Sequence, residues 1–279
     1  MKVYNEAVTM KDTCVVYGTF DGVHRGHIKV IEKAVETAKA KGLQTVVLSK
    51  ISEKDYLTNE REKRYFFEKI EGVDAMVSSN AEDLLETALY ELGAKVVVAG
   101  ADHEELEKVQ AKCAETGAEV VVCETEKEAG EVITTEMVRK AFEDSDFEMV
   151  TKLCGHPYVM IGEVQHGKAL GRTVGMPTAN IGSDDGKLKP PSGVYATSVY
   201  VDGELYKAMT NIGKRPSVDD YDYLTIEAFI LDFSKNIYGM EVVLEVFKFV
   251  RGVQKFDSLE EVQKQVQKDI EKVREVVSA

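Results

Sequence analysis

Five short β-branched runs punctuate the first half of the chain: TCVVYGTF (13–20), QTVVLSK (44–50), DAMVSS (74–79), KVVVAG (95–100) and EVVVC (119–123). Between them lie stretches with helical periodicity, IKVIEKAVETAKAKG, EREKRYFFEKIEG, AEDLLETALYELG and LEKVQAKCAETG. Continuous apolar strands separated by helices argue for a parallel sheet covered on both faces. The first half therefore reads as a doubly wound α/β domain, whose ligands bind beyond the carboxyl ends of its strands. Gly18 to His27 follows the first run directly and falls at that edge.

The rhythm changes after TTEMVRKAFEDSDFEMVTKLCG (134–155), which is helical in pattern and reads as a connection. We expect one domain over residues 1–155 and a second over 156–279. The second half is rich in strands, including PYVMIGEVQ, GVYATSVYVDGELYKAMTNIG, YLTIEAFILDF and MEVVLEVFKFVRG. Asp202-Gly203 between alternating residues is a two-residue hairpin signal. Antiparallel strands closing into a small, mainly β barrel would remove exposed edges. The chain ends on an amphipathic helix, with Ser258 and Glu261 as a capping box. Its apolar stripe is Leu259, Val262, Val266, Ile270, Val273 and Val277. There is no internal repeat and no low-complexity tract.

Charge narrows the function classes. The net charge of −14 opposes a broad nucleic-acid or anionic-membrane surface, although glycine turns and helix N-termini can still receive a nucleotide phosphate. No apolar run approaches the roughly 20 residues of a membrane span, and MKVYNEAVTMKDT lacks a signal-peptide core. The four cysteines, Cys14, Cys113, Cys123 and Cys154, show no CxxC spacing. The expectation is a reduced, cytoplasmic protein with no nucleic-acid or membrane partner. Oligomeric state is not legible.

His24 and His27 sit three apart where the first apolar run gives way to a helix. A helix starting there points unpaired N–H groups at the strand end and favours negative charge. Both imidazoles can reach one ligand, and Gly18, Gly22 and Gly26 permit close approach of a phosphate. Phosphate stabilisation is the chemistry this arrangement suits best. A metal pair lacks a third ligand nearby, and a capping turn with incidental histidines is the bland alternative.

A second motif is GEVQHGKALGRTVGMPTANI (162–181). Gly162, Gly167, Gly171 and Gly175 make an approachable backbone, and Lys168 and Arg172 add positive charge. No GK[ST] follows, so it is not a Walker P-loop. Thr178 and Asn180 alternate on one strand face and offer neutral oxygens that suit Mg²⁺ with nucleotide phosphates. A glycine-rich hairpin with a Pro-Thr turn remains the other reading. In the strand 224–231, Glu227 shares a face with Thr225 and Phe229. It is a candidate base, or else an ordinary exposed carboxylate.

GTFDGVHRGH resembles the HxGH signature of the nucleotidyltransferase superfamily, in the form seen in prokaryotic FAD synthetases. That resemblance implies that His24 and His27 contact ATP phosphates and that Gly18, Phe20 and Asp21 line the nucleotide pocket. The second motif resembles the riboflavin kinase pattern GxVxHGxxxGRxxGxPTAN. The similarity continues through GVYAT, TNIGKRPSV, TIEAFILDFSKNIYG and FVRGVQKFDSLEEVQKQVQKDI, covering nearly all of 156–272. The chain is thus similar throughout to bacterial bifunctional riboflavin kinase/FMN adenylyltransferases. The resemblance implies riboflavin, FMN and ATP as small-molecule partners, Thr178 and Asn180 on Mg²⁺-ATP, and Glu227 as catalytic base. It also implies Asn211 and Arg251 near nucleotide or flavin.

Three segments depart from that family. SKISEKDY (49–56) lacks the proline-containing turn expected after the second strand. GADHEELE (100–107) keeps Gly100 and Asp102 of GxDFxFG but loses both phenylalanines. ITTEMVR (133–139) carries Glu136 where ISSTxIR has threonine. Three readings of the N-terminal domain follow: it adenylylates FMN with a redrawn pocket, so that the kinase also makes FAD; it binds nucleotide without turnover, as a regulatory module; or it acts on another substrate.

Overall fold

The computed structural model describes residues 1–6, 8–167, 176–215 and 223–277. The chain divides into two compact units, Met1–Met137 and Val138–Ala279.

Among the described residues of the first unit, six strands make one sheet: β1 (Lys2–Tyr4), β2 (Thr13–Gly18), β3 (Gln44–Lys50), β4 (Ala75–Ser79), β5 (Ala94–Gly100) and β6 (Glu119–Cys123). Their spatial order is β1-β4-β3-β2-β5-β6, and every neighbouring pair is parallel. β1 is only three residues long, too short to show a period. The five apolar runs became the other five strands; the middles of β2 to β5, with Val15, Val47 and Val97, are buried, whereas those of the edge strand β6 are half-buried and its Val122 is exposed. The strand order reverses at β2, which opens the crevice that receives ligands in such sheets. The helices are α1 (Arg25–Lys41), α2 (Glu60–Phe67), α3 (Leu84–Glu86, continuing as a π turn over Thr87–Glu91) and α4 (Leu106–Thr116). α1 ends on Gly42 with φ 67°, a left-handed cap that glycine adopts without strain. A small ribbon, β7 (Lys127–Glu128) and β8 (Glu131–Val132), follows β6.

The helical segment after this ribbon forms α5 (Thr135–Glu143) and α6 (Phe147–Cys154). Most of it packs as part of the second unit. Phe142 and Phe147 meet edge-on at 5.6 Å. Phe147 then contacts Tyr158 at 6.0 Å and Tyr195 at 5.4 Å, and Tyr195 meets Phe249 at 5.4 Å. Edge-to-face rings at these separations add to the burial that holds the helices on the strands.

Those strands are β9 (Tyr158–Gln165), β10 (Ala179–Ile181), β11 (Gly193–Val201), β12 (Glu204–Arg215), β13 (Tyr223–Ile230) and β14 (Glu241–Arg251). They close as an antiparallel barrel, β10-β13-β12-β11-β14-β9, with β9 and β10 completing the ring. The Asp-Gly signal is a tight hairpin: Asp202 and Gly203 have φ 51° and 80°, and Val201 pairs with Glu204. α7 (Leu259–Val276) lies on the barrel through Ile270, Val273 and Val277. Its stripe is shorter than its periodicity suggests, because Leu259 at the first turn is 53% exposed. Ser258 caps the helix, but Glu261 reaches back to the N–H of Asp257 rather than closing a box on Ser258. Replacing the wholly enclosed Phe147 with alanine should cost the second unit about 3–5 kcal/mol. Urea unfolding followed by tyrosine fluorescence measures this, and a loss below about 1 kcal/mol would remove Phe147 from the core.

Candidate active sites

The turn between β2 and α1 is strained. Phe20 and Val23 have φ 48° and 44°, beside Gly22 at 80°. Left-handed backbone costs an ordinary residue roughly 1–2 kcal/mol and persists only where neighbours over-determine it. Asp21 supplies that restraint. Its Oδ1 accepts the backbone N–H groups of Leu57 (2.7 Å) and Thr58 (3.0 Å), and the Gly22 N–H donates to Thr58 Oγ1 at 3.0 Å. Thr135 Oγ1 donates to the Asp21 carbonyl at 3.2 Å.

This turn aims both histidines. His24 caps α1, its Nδ1 accepting the His27 backbone N–H at 3.4 Å. With Nδ1 accepting, the proton of a neutral ring sits on Nε2. The two imidazoles stack with centroids 3.6 Å apart and planes 19° from parallel, and Phe20 meets His27 edge-on at 5.4 Å. Gly26 makes room for the fold-back, since a Cβ there would lie 3.0 Å from His24 Nδ1. The first turn of α1 carries no acidic residue, so its N–H groups keep their attraction for an anion. Burial pushes His24 down to about 4, partly opposed by Asp102, Glu136 and Asp21. Burial, then the neighbouring His24 and Lys63, hold His27 well below the ordinary histidine range. Both rings are neutral at pH 7. His27 Nδ1 is buried with no hydrogen-bond partner among the described residues, the kind of orphan that marks a functional site.

The histidines face a cleft of about 810 Å³, with Gly18, Phe20, Gly100 and Asp102 also in its wall. Asp21 is not in that wall: its carboxylate faces the 57–58 backbone instead. The divergent segments gain physical explanations. Where the proline-containing turn is missing, Lys63 is wholly buried and donates to Ser49 Oγ, the Lys50 carbonyl and Glu60 Oε1 at 3.1, 3.0 and 2.6 Å. In GADHEELE, His103 stands at the first absent phenylalanine and still sets a ring edge-on to Tyr17 at 5.7 Å, both lining the cleft. Glu136 is exposed, outside the wall. Arg25, between the histidines, grips Glu126 (2.6 Å) and Glu128 (3.0 Å) and so ties α1 to the ribbon. Periodicity gave no sign of that contact across a hundred residues of chain.

In the second unit the strand register places three of the predicted residues in one row. Glu227 on β13 pairs with Asn180 on β10 and with Asn211 on β12. Directly opposed residues share a face, so the carboxylate stands between the two amides. The expected alternation on β13 holds, with Ile226, Ala228 and Ile230 buried and Thr225, Glu227 and Phe229 half-buried. Thr178 lies two residues before Asn180 but just outside β10, which begins at Ala179, so the two do not alternate along one strand as expected. Gly167 packs on Asn180: a Cβ there would lie 2.3 Å from the amide nitrogen. Gly162 has a packing role, since a Cβ would lie 1.8 Å from the Gly182 carbonyl oxygen. Arg251 anchors α7, its Nε donating to the wholly buried Asp269 at 2.8 Å, while Gln265 holds the other oxygen. Lys168, Gly171 and Arg172 lie outside the described residues. No cluster of three or more His, Cys, Asp or Glu able to hold a metal occurs among the described residues. The neutral oxygen of Asn180 opposite the Glu227 carboxylate, with the Thr178 hydroxyl two residues earlier in the chain, is a donor set of the kind a hard cation takes together with phosphates.

Two family models match the chain in tandem: FAD synthetase over residues 7–137 and Riboflavin kinase over residues 154–277. A Listeria monocytogenes protein described as a bifunctional riboflavin kinase/FMN adenylyltransferase is 35% identical, covering 92% of this chain and 90% of its own length. A Bacillus subtilis protein with the same description is 30% identical, covering 90% and 88%. A solved Streptococcus pneumoniae structure, described as a macrolide-efflux protein, superimposes with a TM-score of 0.83 at 27% identity, over 98% of this chain and 99% of that one. No described helix here is long and apolar enough to cross a membrane.

A histidine with a native pKa below its unfolded value of about 6.5 leaves the unfolded chain binding the extra proton in acid. Stability is therefore complete above about 6.5 and falls as pH drops towards about 4, by up to about 3 kcal/mol from His24. Unfolding measured at a series of pH values should show a shallower loss over this window for His24→Asn, which keeps a capping acceptor. Equal slopes would contradict the burial effect.

Proposed function

The chain belongs to the family of bacterial bifunctional riboflavin kinases/FMN adenylyltransferases, and on that footing we propose that its two halves catalyse successive steps of flavin nucleotide synthesis. Residues 156–279 phosphorylate riboflavin to FMN with ATP. Residues 1–155 transfer AMP from ATP to FMN, giving FAD and pyrophosphate. The observation that carries the kinase assignment is the row Asn180–Glu227–Asn211 across three adjacent strands.

In the kinase step the ribityl 5′-hydroxyl of riboflavin attacks the γ-phosphorus of ATP. A new O–P bond forms, the bond to the β-phosphate oxygen breaks, and ADP leaves. Glu227 accepts the hydroxyl proton, because a carboxylate within hydrogen-bond reach is a competent base at neutral pH. Thr178 and Asn180 would hold Mg²⁺, which when bound neutralises phosphate charge. Gly162, Gly167, Lys168, Gly171 and Arg172 would follow the nucleotide phosphates, with Asn211 and Arg251 beside nucleotide or flavin. For Gly162 and Arg251 that role is indirect, since both are committed to packing or anchoring.

In the second step an FMN phosphate oxygen attacks the α-phosphorus of ATP and pyrophosphate departs. His24 and His27 donate to the phosphate oxygens as charge accumulates. The neutral rings are suited to this, since each can take up positive charge when the anion arrives. Gly18 and Phe20 shape the pocket, and Asp21 fixes the turn that carries the rings. Riboflavin, FMN and ATP are the partners, and the cytoplasm is the compartment this chemistry fits.

Separated flavins followed over time in purified protein with riboflavin, ATP and Mg²⁺ test the whole assignment. FMN should rise and then give way to FAD. FMN that accumulates without FAD, even when supplied directly, would restrict the chain to kinase chemistry. Glu227→Gln should lower FMN formation at least about a hundredfold, the range of general-base contributions, without lowering the melting temperature. A variant within a few-fold of the parent rate would take Glu227 out of the base role. His27→Ala should stop FAD formation while riboflavin phosphorylation continues. A parallel fall of both activities would oppose the division of labour.

A further inference from the structure

We propose that Tyr238, through its stack on His166, is a positioning residue that holds Asn180 in place for the nucleotide, an inference that rests on the reading of Asn180 given above. The turn between β13 and β14 is clipped to β9. Gly239 N–H donates to the Val164 carbonyl at 2.9 Å, and Val164 N–H donates to the Met240 carbonyl at 2.9 Å. Gly239 has φ 77°, a conformation glycine alone adopts freely. Buried Ile237 plugs the turn, and Tyr238 N–H donates to Asn236 Oδ1 at 3.2 Å. This backbone sets the Tyr238 ring on the His166 ring, with centroids 3.9 Å apart and planes 21° from parallel.

His166 has no other described ring neighbour and is exposed, so core packing does not account for the stack. The next residue does. Gly167 lies directly on the Asn180 amide, close enough that a Cβ would stand 2.3, 2.7 and 2.8 Å from its Nδ2, Cγ and Oδ1. Asn180 is in turn opposite both Gln165 and Glu227. The path is short: Tyr238 orders His166, His166 fixes Gly167, and Gly167 confines the amide that stands beside the base. Loss of the stack frees residues 166–167 at the edge of β9 and lets the Asn180 side chain leave its place. The cost falls on nucleotide binding, because the ordering of this amide is then charged against it. It does not fall on proton removal by Glu227, whose own strand is untouched.

The test is steady-state riboflavin phosphorylation by the full-length protein, with ATP varied at saturating Mg²⁺ and riboflavin. Tyr238→Leu should raise KM for ATP roughly three- to tenfold, the scale of one ring–ring contact, with kcat little changed. Tyr238→Phe, which keeps the ring, should restore KM. Asn180→Ala is measured alongside, alone and combined with Tyr238→Leu. If the residue acts through Asn180, Tyr238→Leu adds nothing further in the Asn180→Ala background. Additive effects would overturn the proposed path. So would an unchanged KM in Tyr238→Leu when Asn180→Ala has raised it. An Asn180→Ala variant with normal KM would instead refute the reading of Asn180, and the positioning role with it. Melting temperatures of every variant separate these outcomes from loss of fold: a fall in kcat that tracks the melting temperature, with KM constant, also overturns the proposal.

Discussion

The N-terminal site depends on one carboxylate that never meets the cleft. Asp21 accepts two backbone N–H groups from residues 57 and 58, and in doing so holds Phe20 and Val23 in a left-handed backbone. Without that restraint the turn would relax, α1 would start at another angle, and His24 could not both cap the helix and stack on His27. The strain is local, but its support comes from the segment after the neighbouring strand β3, so the histidines are positioned by chain well outside their own turn. The same segment is the one whose family-like proline is missing. Its replacement is a polar net in which Lys63, Glu60, Ser49 and Ser78 satisfy one another, which explains how the turn keeps its shape with different chemistry.

In the second unit the controlling constraint is register. Side chains on a strand alternate faces, so a slip of one residue on β13 would send Glu227 inward and Ile226 outward. The buried set Ile226, Ala228 and Ile230 opposes that slip with apolar free energy. Core packing and the placement of Glu227 are thus set by the same choice of pairing, and its carboxylate cannot change face without unseating the core.

Much of this was legible in the residues. β-branched runs alternating with helical periods predicted the parallel sheet, and Asp202-Gly203 predicted its hairpin. The resemblance carried by HRGH and PTAN pointed to the residues that lie at the β2–α1 turn and on β10. Three kinds of feature were not legible. β1 is too short for a period. The role of Asp21 depends on contacts thirty-six residues away, so its place in the motif suggested the pocket wall when its carboxylate faces the other way. Arg251 was singled out because it sits in a matching segment, whereas its hold on the buried Asp269 of α7 lies outside the apolar stripe from which that helix was read. Local pattern encodes the element; the partner of a polar group is a property of the assembled chain.

β10 is three residues long, yet it completes the barrel between β9 and β13 and carries Asn180. On the reading proposed for Asn180, the seam of the barrel and the seat of the nucleotide are the same strand. Opening the ring there would part the Asn180 amide from Glu227, and a ligand bound across the two sides would oppose that opening. A ligand that binds only the closed ring would stabilise it by mass action, so this short suture would be mended by the molecule it serves.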